Sequence, residues 1–486
     1  MKISEIFDLK KSQYELDFVD VNIDGDTPLF LDSYFIKNSK SRFGQEASKD
    51  IQSFTNHFFG LLRSDLRQEA LGLFSYLGEP NETCLGLSRG KPMGRGIGPI
   101  NTRDIFDSIV SSSAYHAGVL EHLEDLRIFV EGIDKDKTSD MCTNIIRGRL
   151  IEYTKNQCHL WGISLTPNIA SGFIWNRLER KWENYHADML VIDNRKILLV
   201  PKSMVTYSKD YTSAKYLQHF ILNFLQRDHL NRSTHLVQIY KRQDGSERRF
   251  VTKESIKDDL QKNQNIELNK EFLVNFTINN PEVFNDFKIN TKDFINRIRN
   301  EDITEEALDD IIEHLKNKLA NIQPGNTQAS EYHKTMMGAL ELLFYPSLIN
   351  PILEQEIHEG RKRIDVVFEN NAETGFFFQL PTIHRMSSSN IMVECKNYSE
   401  DISNQALDQM SGRFNPNRGR VGLIVCRNID DMNTFILRCK DTFNDDRGVI
   451  VPLVDQDIIL ALDQYKSDRN RAIEGIIQNR FNQLLR

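Results

Sequence analysis

The sequence predicts an α/β protein whose C-terminal third forms a sheet with helices packed on its faces. One observation behind this prediction is that strand-like and helix-like segments alternate after Ser330. Another is the polar, helical composition of residues 234–330, which end in the breaker-rich stretch NIQPGNTQAS. We therefore expect an N-terminal recognition or regulatory domain over residues 1–233, a helical connector over 234–330, and a C-terminal domain over 331–486 that folds on its own.

The N-terminal domain mixes both kinds of element and is expected to be α/β or α+β. The apolar run KILLVPK over residues 196–202 predicts a strand, and the amphipathic run over 216–226 predicts a helix. Within residues 131–146, an acid-rich turn leads into an apolar helix. Ser139 or Asp140 is expected to be the N-cap of that helix.

The C-terminal segments are predicted in a fixed order. They are a helix over residues 331–344, strands over 352–359, 363–368 and 390–398, a helix over 403–414, a strand over 421–427, a helix over 431–443, a strand over 449–454 and a closing helix over 457–465. Helices that alternate with strands in this way pack on the faces of the sheet.

Composition and charge exclude several classes of protein. The formal net charge of -8 argues against a general nucleic-acid coat, because wholesale phosphate neutralisation requires an excess of Lys and Arg. The six cysteines form no CxxC pair, which indicates reduced thiols, and the scattered histidines give no support for a zinc site. With no signal sequence and no apolar run of the roughly 20 residues that span a bilayer, we expect a soluble, cytoplasmic protein.

Two consecutive strand segments each carry an acid in an apolar setting, Asp365 in RIDVVF and Glu394 in NIMVECKNY. Because side chains alternate along a strand, Lys396 shares a face with Glu394, whereas Cys395 points to the other face. Buried carboxylates are tolerated when they are paired or bind a metal ion. Magnesium suits two facing acids, because it takes oxygen ligands and keeps waters that a phosphate can replace. The pattern therefore predicts a metal site beside a lysine.

At these residues the sequence resembles the PD-(D/E)xK nuclease superfamily. The resemblance covers about the last third of the chain, and the elements occur in the order of the family. The metal-binding acids of the family fall on Asp365 and Glu394, and its lysine falls on Lys396; Ile364 stands where many members have proline. The resemblance implies a restriction-endonuclease-like mixed sheet flanked by helices, a divalent metal ion and hydrolysis of phosphodiester bonds.

The same resemblance implies several supporting residues. Cys395 would lend its backbone carbonyl to the metal, and Glu331, which opens the first helix, would approach the metal as a further catalytic acid. Gln405 and Gln409 are spaced i and i+4 on the helix after the E-x-K strand, so they share one face. We expect Gln409 in the catalytic group and Gln405 at the nucleic acid.

Two basic clusters are candidates for contacts with phosphate groups. They are Arg361, Lys362 and Arg363, just before the first acid, and Arg413, Arg418 and Arg420, on the loop after the glutamine helix. The first cluster would grip phosphates beside the scissile bond or form a solvated hairpin end. The second fits a phosphate-contacting loop and equally a plain surface turn.

Together these inferences predict an endonuclease that cuts DNA with Mg2+, for which Mn2+ would substitute. A long companion domain beside such a core is similar to the layout of restriction and antiphage defence effectors. The expected partners are nucleic acid, with DNA preferred, and a second copy or another protein bound through the N-terminal domain; no membrane contact is expected. Two alternatives stay open, a nuclease that cuts RNA and a non-catalytic binding or regulatory protein that keeps the nuclease fold as a scaffold.

Overall fold

A computed structural model describes residues 1–87, 99–241, 247–293, 298–353, 365–398, 402 and 404–485. For residues 99–101, 293, 365 and 470 it describes the backbone alone. The described chain is mixed α/β, as the sequence predicts, and its C-terminal region contains a five-stranded mixed sheet. None of the described helices is both long enough and apolar enough to cross a membrane.

The strands are distributed along the whole chain. They are β1 (Phe30–Leu31), β2 (Thr166–Asn176), β3 (Lys181–Ile192), β4 (Arg195–Ile197), β5 (Val205–Thr206), β6 (Gln238–Lys241), β7 (Glu247–Phe250), β8 (Leu348–Leu353), β9 (Asp365–Asn370), β10 (Asn390–Lys396), β11 (Val421–Cys426) and β12 (Val449–Val454).

The helices precede, separate and follow these strands. Up to β6 they are α1 (Ile3–Ile6), α2 (Ser33–Lys37), α3 (Arg42–Arg63), α4 (Arg67–Phe74), α5 (Pro99–Ser111), α6 (Ser113–His116), α7 (Asp125–Phe129), α8 (Lys135–Ile145), α9 (Arg147–Trp161), α10 (Ser213–Lys215) and α11 (Leu222–Arg232). After β7 they are α12 (Lys253–Asp258), α13 (Lys270–Asn279), α14 (Pro281–Asp293), α15 (Asn300–Ile303), α16 (Leu308–Asn321), α17 (Ala329–Phe344), α18 (Gly375–Thr382), α19 (Asn404–Ser411), α20 (Met432–Asn444), α21 (Asp455–Asp468) and α22 (Asn470–Leu485).

The C-terminal sheet has the strand order β12-β11-β10-β9-β8. β9 is antiparallel to both of its neighbours, whereas β10, β11 and β12 are parallel. β11 and β12 are apolar runs that are buried along almost their whole length, as parallel strands covered on both faces require. At one edge of this sheet, which we call the carboxyl edge, β10, β11 and β12 end and β9 begins.

Two predictions for the N-terminal region are wrong in detail. The predicted strand over residues 196–202 ends at Ile197, because the next backbone groups bond to Glu82, Thr154 and Val19 rather than to a neighbouring strand. The N-cap of α8 is Asp134, which accepts a hydrogen bond from the Lys137 amide at 3.2 Å, and not Ser139 or Asp140. The strand prediction failed because an apolar sequence does not show whether a neighbouring strand is present to pair with it. The N-cap prediction failed because the turn before α8 contains several acids that could cap the helix.

The predicted order of C-terminal elements is confirmed, with three differences. The first strand is β8, which begins at Leu348 rather than at residue 352, and residues 354–359 lie outside the described residues. The sequence reasoning missed the short apolar helix α18 and the last helix, α22. The connector over residues 234–330 is mostly helical, but it starts with the hairpin of β6 and β7.

The hydrophobic core runs across the expected domain boundary at residue 330 without a break. α9 of the N-terminal region packs against β8 of the C-terminal sheet. At this contact Gln157 Nε2 donates to the Pro351 carbonyl at 3.2 Å, and the Asn350 amide donates to Asp17 Oδ1 at 3.0 Å. Independent folding of residues 331–486 stays a prediction, and these contacts argue against it.

Three charged residues from both sides of that boundary, Asp17, Lys202 and Glu341, are fully buried and form the internal charge cluster. Burial raises the pKa of the Asp17 and Glu341 carboxyls and lowers the pKa of Lys202, while the opposite charges counteract these shifts. Tyr153 donates its hydroxyl to Asp17 Oδ2 at 2.6 Å, and Lys202 Nζ lies 4.3 Å from the centre of the Tyr345 ring. Lys202 Nζ and both Glu341 carboxyl oxygens form no hydrogen bond with a described residue, so the cluster ties the two regions together through electrostatic attraction rather than through a direct ion pair.

We expect Lys202→Ala to lower the free energy of unfolding by about 3 kcal/mol, because it leaves two buried acids without their cation. Urea denaturation of the full chain measures this loss. The control is Lys155→Ala, which removes an exposed ion pair with Glu152 at 3.1 Å and should cost less than about 1 kcal/mol. Equal losses in the two variants would contradict the role of the cluster.

Candidate active site

Glu394 and Lys396 lie close to the carboxyl edge on one face of β10, where they are only 1% and 2% exposed. The two side chains form an ion pair between Lys396 Nζ and Glu394 Oε1. Lys396 Nζ also lies 5.7 Å from the centre of the Tyr398 ring. Cys395 alternates to the opposite face, where burial, together with the Glu394 carboxylate, raises the pKa of its thiol to about 12. This thiol stays protonated near neutral pH and is therefore no nucleophile.

β9 places Asp365 directly beside this pair. In the antiparallel ladder of β9 and β10, the Cα partner of Glu394 is Asp365. Residues that are directly opposed in such a ladder have Cα atoms about 4.5–5.5 Å apart and share one face of the sheet. The structure thus brings the backbones of the two acids together at the carboxyl edge.

α19 covers the face of the sheet on which Glu394 and Lys396 lie. Gly422 of β11 is the Cα partner of Met392, which alternates onto the same face as Glu394. A Cβ atom at Gly422 would come within 2.3 Å of Met410 Sδ, so a larger residue at this position would force the Met410 side chain of α19 to move.

The two glutamines on α19 differ in exposure. Gln409 is half-buried on the helix, whereas Gln405 is exposed. Ala406, Leu407 and Met410 form the buried side of α19. Gln409 is therefore the more enclosed of the two glutamines.

α17 begins at the carboxyl edge, and Glu331 lies in its first turn. The Glu331 side chain is exposed, and its Oε1 atom is 3.9 Å from Lys318 Nζ. The next residue, Tyr332, donates its hydroxyl at 2.7 Å to Asp455, which directly follows β12. This contact fixes the start of α17 at the end of the sheet that carries Glu394.

Sequence reasoning missed the polar groups that hold the carboxyl edge together. Arg427, directly after β11, forms an ion pair with Asp455 at 3.2 Å and donates to the carbonyls of Leu319 and Ile322. Its only sequence signal is its position after a parallel strand, where polar residues gather. Burial raises the pKa of Asp455 to about 6, against the opposing effects of the Tyr332 hydrogen bond and of Arg427.

Asn397, the residue after Lys396, holds the end of the connector. Its Nδ2 atom donates to the carbonyls of Gln323 at 3.0 Å and Gly325 at 2.8 Å, and its own carbonyl accepts from the Gly325 amide at 2.7 Å. The segment that precedes α17 is thus attached directly beside the Glu394–Lys396 pair.

Of the two predicted basic clusters, the structure describes only the second. Arg361, Lys362 and Arg363 lie outside the described residues. Arg420 precedes β11, at the end of the sheet opposite to the carboxyl edge, and forms an ion pair with Asp446 at 3.3 Å. Arg418 is exposed and Arg413 is half-buried on the same loop. For this cluster the position favours the surface-turn alternative.

Among the side chains that the structure describes, no group of three or more His, Cys, Asp and Glu is arranged to hold a metal ion. The side chain of Asp365 is not among those described, so this absence does not extend to a site formed by Asp365 and Glu394.

Residues 8–213 match the model of a family described as a domain of unknown function, DUF8370. The match covers less than half of the chain and lies within the region expected to form the N-terminal domain. Comparisons with curated proteins and with solved structures found no match.

We expect the stability of the protein to fall as the pH rises from about 4 to about 6, through the contribution of Asp455. Its pKa is about 6 in the folded chain against the ordinary value of 3.8 for an aspartate, so the folded state binds the extra proton in this range. The loss should be about 2–3 kcal/mol and should be complete above pH 7. Urea denaturation between pH 4 and pH 7 would show a smaller slope for Asp455→Asn, and identical slopes would contradict the assignment.

Proposed function

We propose that this protein is a magnesium-dependent endonuclease of the PD-(D/E)xK type that hydrolyses phosphodiester bonds in DNA. The observation that supports this best is the ladder register that makes Asp365 and Glu394 direct partners. The sequence alone does not predict which residues of the two strands are paired. The five-stranded mixed sheet with helices on its faces agrees with the restriction-endonuclease-like fold that the resemblance implies.

The residues at the carboxyl edge fit a hard divalent cation. Asp365 and Glu394 would each supply a carboxylate oxygen and Cys395 its carbonyl oxygen, which suits an ion that uses one or two carboxylates and keeps several waters. A bound magnesium ion would polarise the phosphate and lower the pKa of a water molecule, and Mn2+ would do the same. Glu331, at the start of α17, is the candidate for a further ligand.

In this proposal Lys396 acts on the attacking water and on the transition state. Its ammonium group is held beside the Glu394 carboxylate in a nearly water-free position, so its orientation is fixed before substrate arrives. A fixed ammonium orients the attacking water and stabilises the negative charge that develops on the phosphate oxygens. Gln409, half-buried on α19, would help to orient the same water.

The N-terminal region is proposed to recognise a partner or signal and to restrain cleavage, as in restriction and antiphage defence effectors. The contacts of α9 with β8 provide a physical connection for such control.

One observation favours the second candidate function, a binding or regulatory protein on a nuclease scaffold. Glu394 and Lys396 are almost completely buried, which leaves a substrate little access to them in this conformation. A cleavage assay separates the two candidates, and DNA and RNA as parallel substrates separate the two kinds of nuclease. Plasmid, linear duplex, single strands and RNA should be tested with magnesium, with manganese and with a chelator.

We expect Asp365→Asn and Glu394→Gln each to reduce the rate of cleavage at least about a hundredfold, because each removes a charged ligand of the metal ion. Circular dichroism should show that both variants remain folded, and calorimetric titration with Mn2+ should show weaker binding. The control is Asp441→Asn on the exposed side of α20, which should cleave normally. Full cleavage by both site variants would remove the assignment.

Lys396→Met should reduce the rate of cleavage far more than the affinity for nucleic acid, because the ammonium acts on the transition state. Methionine preserves much of the buried volume at this position. Single-turnover cleavage and binding in the presence of Ca2+ measure the two quantities separately. A variant that cuts at the wild-type rate would show that Lys396 has no chemical role.

A further inference from the structure

The hairpin of β6 and β7 stands apart from the main core. Its base rests on a small second core of Leu222, Val251 and Ile256. Seven of its eight strand residues are exposed, among them Ile239 and Tyr240, each 59% exposed. A two-stranded ribbon is only marginally stable by itself, and large exposed apolar side chains on such a ribbon make each of its faces a candidate surface for a partner.

The strand register gives the ribbon two different faces. Tyr240 is paired with Arg248 and Ile239 with Arg249, and directly opposed residues share a face. Arg249 Nη2 donates to Ser233 Oγ at 2.6 Å, so the face of Ile239 and Arg249 is connected to the end of α11. On the other face, the side chains of Tyr240 and Arg248 form no hydrogen bond or ion pair within the described ranges.

The charge of the described ribbon is opposite in sign to that of the whole chain. It carries Lys241, Arg248 and Arg249 against the single acid Glu247, whereas the chain has a formal net charge of -8. Lys241 Nζ lies 3.4 Å from Glu247 Oε1, so Glu247 compensates Lys241, and the described ribbon contains no further acid for the guanidinium of Arg248. An exposed aromatic ring beside an uncompensated guanidinium suits a polymer of bases and phosphates, because bases stack on aromatic rings and phosphates attract cations.

We propose, resting on the proposed function, that the face of Tyr240 and Arg248 binds the nucleic-acid substrate outside the candidate active site. Arg248 contacts a backbone phosphate, and Tyr240 stacks on a base or packs against a sugar. The ribbon increases affinity for the polymer and takes no part in the chemistry at Glu394 and Lys396.

The experiment measures binding of the full chain to a fluorescent oligonucleotide, as a single strand and as a duplex, with a chelator present so that no cleavage occurs. Tyr240→Ala and Arg248→Ala should each weaken binding about tenfold. Arg248→Ala should also reduce the dependence of log affinity on log salt by about 1. Tyr240→Phe should keep the wild-type affinity, because it keeps the ring.

The control is Lys262→Ala, which removes an exposed positive charge that is paired with Asp258 and lies close to the hairpin in sequence but outside the ribbon, and it should leave affinity unchanged. A larger loss with the single strand than with the duplex would identify base stacking, and equal losses would identify backbone contacts; both support the proposal. Wild-type affinity of Tyr240→Ala and Arg248→Ala for both oligonucleotides would overturn it. That result would leave the proposed function intact, because cleavage by the wild-type chain is measured separately. Weakened binding by the two variants, together with no metal-dependent cleavage by the wild-type chain, would instead refute the proposed function and leave the binding face standing.

Discussion

Asp365 and Glu394 are partners in the ladder of β9 and β10, and a slip of that ladder by one residue would turn one acid to the other face of the sheet. The register is held by buried apolar residues of the two strands, Val366 and Phe368 of β9 and Ile391, Met392 and Val393 of β10. The surrounding elements are arranged around this ladder. Gly422 brings α19 onto the face of Glu394, and Asp455 fixes the start of α17 at the same edge.

The internal charge cluster connects the regions on either side of the change in composition at residue 330. Residues 321–330 have the breakers and polar residues of a linker, and the chain does turn there. The buried charges of Asp17, Lys202 and Glu341, however, join residues that are more than a hundred positions apart in sequence. Sequence composition indicates how exposed a segment is to solvent. It carries little information about which distant carboxylate lies near a buried lysine in the folded chain.

The fold could be predicted from the sequence where the signal was local. Periodicity identified α17, β10 and β12 and their order, because each buries a recognisable apolar face. The predictions that were wrong depended on contacts between residues distant in sequence. The residues after Ile197 looked like a continuing strand, but their hydrogen-bond partners lie on other elements. For the candidate site, the alternation of Glu394 and Lys396 was predictable, whereas Arg427, Asp455 and Asn397 depend on contacts that only the assembled sheet creates.

The small core of Leu222, Val251 and Ile256 gives the chain a second, weaker cooperative unit. So few buried apolar side chains provide little free energy, and therefore this unit can open while the main core remains intact. Backbone amides around β6 and β7 should then exchange with solvent in an opening event separate from global unfolding. Substitutions there would change local order with little effect on the melting temperature of the whole protein. The orientation of this segment can thus change without unfolding of the large, continuous core.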